Sequence, residues 1–201
     1  MMAQRTAMGD TLSSMELLAK LDLLINEPDP ARKRLTALAI VSERLRQDNL
    51  EPILVGGAAV EFYTAGGYAT KDVDLALTHC PETNKAFADL GFIKEGRYWY
   101  REDLDLLFEA PAKAALPGET APRKRIQIDG MDVVILGIED LIIDRLRVWV
   151  HGRSDEDGRW ARRLILLYSE ELDWEYLEEK TDPYHDEKKA LAQLKAAAHD
   201  D

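Results

Sequence analysis

Cysteine is almost missing from this chain. Cys80 stands alone among 201 residues, which excludes an internal disulfide and fits a reducing compartment, so a cytoplasmic protein is expected. Long apolar runs are missing as well. No stretch approaches the roughly 18 consecutive apolar residues of a membrane-spanning helix, so neither a span nor a membrane partner is expected. The opening MMAQRTAMGD has one arginine and no apolar core behind it, so a secretion signal is not expected either. Positive charge is scarce: 26 Lys and Arg face 38 Asp and Glu, a formal net charge of -12. A chain this acidic repels phosphate polymers as a whole and is a poor non-specific nucleic-acid binder. The charge is uneven, however. PRKRIQI, Pro122 to Ile128, is a compact basic run, and SEELDWEYLEEKTDPYHDE near the C-terminus is strongly acidic. Both read first as solvated surface.

What is present is globular: 46% hydrophobic and 32% charged residues, in a length that suits one domain or a domain with a helical appendage. TLSSMELLAKLDLLI and ARKRLTALAIVSERLRQDNL repeat apolar residues at a helical period, separated by the breaker NEPDP. PILVGG is a short strand ending in a glycine pair, and AAVEFYTAGG is a helix with a glycine stop. KDVDLALT reads as a strand. PETNKAFADLG is a helix with Pro81 near its start, and FIKEGRYWYREDLDLLFEA holds two or three strands. RKRIQIDGMDVVIL carries Asp129-Gly130 between two alternating runs, which is a hairpin signal. From Gly137 the periods are helical to the end. The expected fold class is α/β (α+β), a sheet flanked by helices with a C-terminal helical part. The expected division is an N-terminal helical segment (1–30), an α/β core (31–136) and a C-terminal helical region (137–201).

The chemistry lies in LVGGAAVEFYTAGGYATKDVDLAL. Asp72 and Asp74 interrupt an apolar strand two residues apart, so both point to one face. Adjacent carboxylates repel each other and resist desolvation unless a cation neutralises them. Mg²⁺ takes oxygen ligands and commonly binds one or two carboxylates together with substrate phosphates. Gly56 and Gly57 lie where a strand exits and a helix begins, a place where backbone amides approach an anion closely. A third acid would complete a two-metal clamp. Asp105, between Leu104 and Leu106, is the expected one, with Asp103 an exposed strand-start residue. Arg123 and Arg125 are expected on one face of their strand and Lys124 on the other. Tyr98, Trp99 and Tyr100 are expected to pack in a sheet. His151 near a helix end reads as structural.

Gly56-Gly57, then Asp72-Val73-Asp74 after a short helix, then a further strand acid, resembles the polymerase-beta-like nucleotidyltransferase superfamily. ATKDVDLAL is similar in particular to small bacterial nucleotidyltransferase-like proteins, some of them toxin or antitoxin components. The resemblance covers roughly Pro52 to Phe108. It implies a nucleotidyltransferase-like mixed sheet and metal-dependent transfer of a nucleoside monophosphate from a nucleoside triphosphate to a hydroxyl, with release of pyrophosphate. It implies Mg²⁺ or Mn²⁺ on Asp72, Asp74 and Asp105 as catalytic and metal-binding residues, and Gly56 and Gly57 as nucleotide contacts. Lys71 and Arg145 are further nucleotide-binding candidates, Arg145 having a salt bridge as its alternative. The acceptor is left open between a protein, a tRNA and a small molecule.

The chain also departs from the pattern. Gly57 stands where many members have a serine hydroxyl, and Tyr68-Ala69 stand where some bacterial relatives carry an arginine. These departures favour a rival reading: a non-catalytic nucleotidyltransferase-like protein that binds a protein partner, as an antitoxin or regulator.

Overall fold

The computed structural model describes residues 12–110, 121–181 and 184–199. The first turn of α1 (Ser14–Asp22) is set by a capping box, in which the Ser13 side chain accepts from the Glu16 amide while Glu16 reaches back to the Ser13 amide. A 3-10 turn over Leu23–Asn26 follows. The NEPDP breaker then becomes a helix start: Asp29 caps α2 (Pro30–Arg46) by accepting from the Ala31 and Arg32 amides, with Pro30 at the first helical position. Next come β1 (Ile53–Leu54), α3 (Gly56–Tyr63), β2 (Asp72–Ala76) and α4 (Pro81–Asp89). Cys80 is the N-cap residue of α4.

The remaining strands are β3 (Ile93–Glu95), β4 (Tyr98–Arg101), β5 (Leu106–Glu109), β6 (Arg123–Ile128) and β7 (Met131–Leu136). They join β1 and β2 in one seven-stranded sheet of order β3-β4-β5-β2-β1-β7-β6. The sheet is mixed. β2 runs parallel to β5 and β1 parallel to β7, while the other pairs are antiparallel. The hairpin expected at Asp129-Gly130 joins β6 to β7, and both turn residues have positive φ (51° and 80°), as a two-residue primed turn requires. Four helices complete the chain: α5 (Ile138–Gly152), α6 (Asp155–Tyr168), α7 (Trp174–Thr181) and α8 (His185–His199).

One hydrophobic cluster runs from Leu17 and Leu21 of α1, through Leu54, Leu75, Phe108 and Ile135 of the sheet, to Leu191 and Leu194 of α8. Its aromatic centre is Trp99 stacked on Phe87, with ring centroids 4.5 Å apart. The expectation that these aromatics pack holds for Trp99, which is fully buried. Strand alternation also reads the basic run correctly. Arg123 and Arg125 both reach Glu51, while Lys124 points the other way, over the rings of Phe62 and Tyr63. His151 pairs with Glu187 of α8. Among the described residues no helix is long and apolar enough to cross a membrane.

Candidate active site

Three carboxylates converge on one face of the sheet. In β2, Val73 and Leu75 are buried on the core side, which turns Asp72 and Asp74 to the opposite side. The parallel neighbour β5 places Leu107 beside Asp72 and Glu109 beside Asp74. Carboxylate oxygens of Asp72, Asp74 and Glu109 all lie within 4.8 Å of one another.

The third acid is therefore Glu109, not Asp105. β2 and β5 are neighbours, but Asp105 does not belong to the strand. Glu102–Leu104 winds into a 3-10 turn, and Asp105 closes it in the left-handed conformation (φ 52°, ψ 47°). The strand starts only at Leu106. Asp105 is exposed and lines a cavity of about 980 Å³ together with Lys71, Val73 and the first turn of α2. None of the three clustered acids lines that cavity. Asp103, read as an exposed strand-start residue, is exposed and paired with Arg101. A sequence signal for Glu109 does exist. It ends the apolar run Leu106-Leu107-Phe108 and shares the strand face of Leu107, not that of the buried Phe108.

The glycine pair is shaped around Asp74. Gly56 opens α3 at φ +61°, and a Cβ placed there would fall on the Asp74 carboxylate. Only glycine combines that backbone with that clearance. The Gly57 amide, one of the unpaired donors of the first helical turn, donates to Asp74 Oδ2 at 3.2 Å. A Cβ on Gly57 would press on the Tyr68 ring at 2.9 Å and on Thr70 Oγ1 at 3.2 Å. Thr70 in turn donates its hydroxyl to Asp72 Oδ1 at 2.7 Å. Tyr68 packs edge-on against Trp160 of α6.

Two further expected contacts stay outside the cluster. Lys71 is exposed and precedes Asp72 by one residue, which turns it to the cavity side. Arg145 is held by two ion pairs, Nη1 to Asp157 Oδ1 at 2.7 Å and Nη2 to Asp144 Oδ2 at 2.6 Å. Its Nε is buried without a partner among the described residues. Arg145 thus serves the salt bridge rather than a free cleft cation, although its charge still reaches Asp74.

Arg97 is the cation that sequence reading missed. It sits in the β3–β4 turn, and its Nε lies 3.0 Å from Glu109 Oε1. The same guanidinium donates to the Tyr98 hydroxyl from Nε (3.1 Å) and Nη2 (2.8 Å). Its place at the site follows from strand register, since Tyr98 pairs with Glu109 across β4 and β5, and a lone sequence does not reveal register.

The electrostatics describe a site short of positive charge. Burial first, and then the neighbouring Asp72, push the Asp74 carboxyl up to about 6. Glu109 adds to the rise, while the Gly57 amide and Arg145 oppose it. A set of three carboxylates, partly desolvated and mutually repelling, is the donor chemistry that suits a hard divalent cation such as Mg²⁺ or Mn²⁺.

No family model matches the sequence, and no curated protein matches it significantly. Among solved structures, the crystal structure of an antigenic nucleotidyltransferase-like protein from Paracoccidioides brasiliensis is similar, with a TM-score of 0.63 at 17% identity, over 86% of this chain and 90% of that one. The solution structure of the antibiotic-resistance factor ANT(2'')-Ia covers 82% of this chain and 92% of its own at 18% identity, with a TM-score of 0.40, too low to weigh. At 17% identity the first likeness concerns architecture, and on that architecture, with its mixed seven-stranded sheet and flanking helices, the chain has the nucleotidyltransferase fold.

Proposed function

We propose that the protein is a metal-dependent nucleotidyltransferase that moves a nucleoside monophosphate from a nucleoside triphosphate to a hydroxyl acceptor. The observation that carries this reading is the convergence of Asp72, Asp74 and Glu109 within 4.8 Å, directly beside a glycine pair that opens a helix. Residues 31–136 supply these groups, and Trp160 of α6 packs on Tyr68 beside them.

Asp72, Asp74 and Glu109 would hold Mg²⁺ or Mn²⁺, which supplies charge for the phosphoryl oxygens as the transferred group changes hands. The remaining work belongs to the chain. The amides at the start of α3 receive the triphosphate oxygens, favoured by the helix N-terminus. The Thr70 hydroxyl fixes the rotamer of Asp72, and the Gly57 amide fixes that of Asp74. Glu109 stands at the far edge of the cluster and takes the proton of the attacking hydroxyl. The acceptor oxygen forms its bond to the α-phosphorus, the bond from the α-phosphorus to the bridging oxygen breaks, and pyrophosphate leaves. Positioning and preorganised charge are the main sources of acceleration in such a displacement.

The test is incubation with each of the four labelled ribonucleoside triphosphates, Mg²⁺ or Mn²⁺, and a cell extract. The expected result is label transfer to an acceptor by the wild type and none by Asp74→Asn. Absence of transfer with all four nucleotides and both metals overturns the reading.

A further inference from the structure

A line of residues crosses the sheet at the level of the carboxylates. The Val55 amide donates to the Asp74 carbonyl, Asp74 is registered against Glu109, and Glu109 against Tyr98. In space the order is Gly56–Gly57, Asp74, Glu109, then Tyr98 with Arg97 leaning over it. An in-line displacement has two ends, one for the leaving pyrophosphate and one for the attacking hydroxyl. If the glycine end holds the pyrophosphate portion, the acceptor enters over Glu109 and meets Arg97 and Tyr98.

Resting on the nucleotidyltransferase reading above, we propose that Arg97 and Tyr98 form an acceptor subsite for a hydroxyl compound that carries a phosphate group beside the reacting hydroxyl. Arg97 differs from the other arginine near the cluster in being reachable: its side chain is 53% exposed, against 15% for Arg145. Its partner Glu109 is 12% exposed, so the guanidinium projects from a nearly buried acid toward solvent. The backbone beneath it is fixed. Gly96 and Arg97 form the two-residue turn between β3 and β4, and the Arg97 carbonyl accepts from the Ala110 amide. Only the side chain has to turn. A divalent cation held by Asp72, Asp74 and Glu109 would compete with Arg97 for the Glu109 carboxylate and would leave the guanidinium open to another anion. A planar guanidinium matches the fork of a phosphate better than any other side chain does. Arg97 Cζ lies 5.1 Å from the Tyr98 ring centroid, so an anion bound by Arg97 brings its attached sugar or base against that ring. The same cation disfavours a positively charged acceptor.

The proposal is tested on the full chain in Mg²⁺, loaded with the non-cleavable α,β-methylene analogue of whichever ribonucleoside triphosphate raises the melting temperature most. Calorimetric titration then compares a ribodinucleoside monophosphate with its neutral methylphosphonate counterpart, and ribose 5-phosphate with ribose. The wild type is expected to prefer at least one phosphate-bearing probe by about tenfold, the scale of one charge-assisted contact. Preference for the dinucleotide alone identifies a nucleic-acid end, and preference for the sugar phosphate alone identifies a small acceptor. Arg97→Gln should erase the preference with a smaller change in analogue affinity, and Arg97→Lys should restore part of it. Equal binding of charged and neutral probes by a loaded wild type overturns the subsite while leaving the nucleotidyltransferase reading standing. A larger loss of analogue affinity than of probe affinity in Arg97→Gln also overturns it, by placing Arg97 at the donor end. Failure of the wild type to bind any triphosphate overturns both.

Discussion

Buried charge is handled in opposite ways in two regions of this molecule. On the helical side, Arg44 and Glu187 are buried ions that meet their opposites. Arg44 of α2, with a side chain only 4% exposed, binds Asp48 at 2.6 Å and Asp89 at 2.7 Å. Glu187 of α8, 3% exposed, accepts from Arg147 and contacts His151. On the sheet face, three acids are gathered against one another, with Arg97 touching only the outermost. The first arrangement holds elements together. The second raises the energy of the metal-free fold, a state worth keeping only if something of positive charge arrives. The contrast separates structural ion pairs from a working site more sharply than a count of charges does.

The largest effect expected is on transfer. Glu109→Gln and Asp74→Asn should each lower the rate by about a thousandfold or more, since each removes a carboxylate from the metal-binding set. Single-turnover assays in Mg²⁺ measure this, and an active Glu109→Gln would return the third-acid role to another residue.

Breaking the structural side should instead cost stability. Arg44→Met leaves Asp48 without its cation and Asp89 with Lys85 alone, and a loss of about 2 kcal/mol is expected in urea denaturation, below the usual size for a fully buried pair because both carboxylates keep some water. The double substitution Asp72→Asn with Asp74→Asn should move the other way. Its stability in EDTA should equal or exceed that of the wild type, because like-charge repulsion is gone. A clear loss there would make the acid cluster a structural element like Arg44.

A further effect is the pH dependence. The folded chain holds the Asp74 proton up to about 6, whereas an unfolded aspartate releases it near 4. The native state therefore binds the proton more tightly. The contribution is fully present below about pH 4 and is lost as pH rises through about 6, with an upper limit of about 3 kcal/mol set by the gap of roughly two pH units. Denaturation in EDTA across this range should show it, and Asp74→Asn should remove that part of the slope. The smallest effect is expected for Asp105→Asn, which should alter transfer by less than about twofold, as an exposed position off the cluster allows.

The parts of the site legible in the sequence are those set by local pattern. Alternation in KDVDLALT places Asp72 and Asp74 on one face, and the strand–glycine–helix order places Gly56 beside them. The third acid fails the same treatment because EDLDLL looks like a strand throughout. The backbone turns left-handed at Asp105, and a break of this kind has no signal in an apolar–polar pattern. Arg97 is harder still. It lies in a turn, and it reaches the site only because β4 pairs with β5 in one register. Lys71 illustrates the converse: adjacency in sequence to Asp72 is what keeps it off the acid face.

The two-residue strand β1 sits between β2 and β7 in the sheet. Its parallel partner, centred on Val134 and Ile135, comes late in the chain, whereas β2 finds β5 much sooner. Loop closure favours the nearer pairing. The order of assembly should follow: β2 with β5 early, β1 with β7 late, so that the carboxylates meet while the sheet is still open on one side and water can still screen them. Pulsed hydrogen exchange during refolding should then protect the Glu109 amide, which faces β2, before the Leu136 amide, which faces β1, and the reverse order would show that the β1–β7 pairing leads.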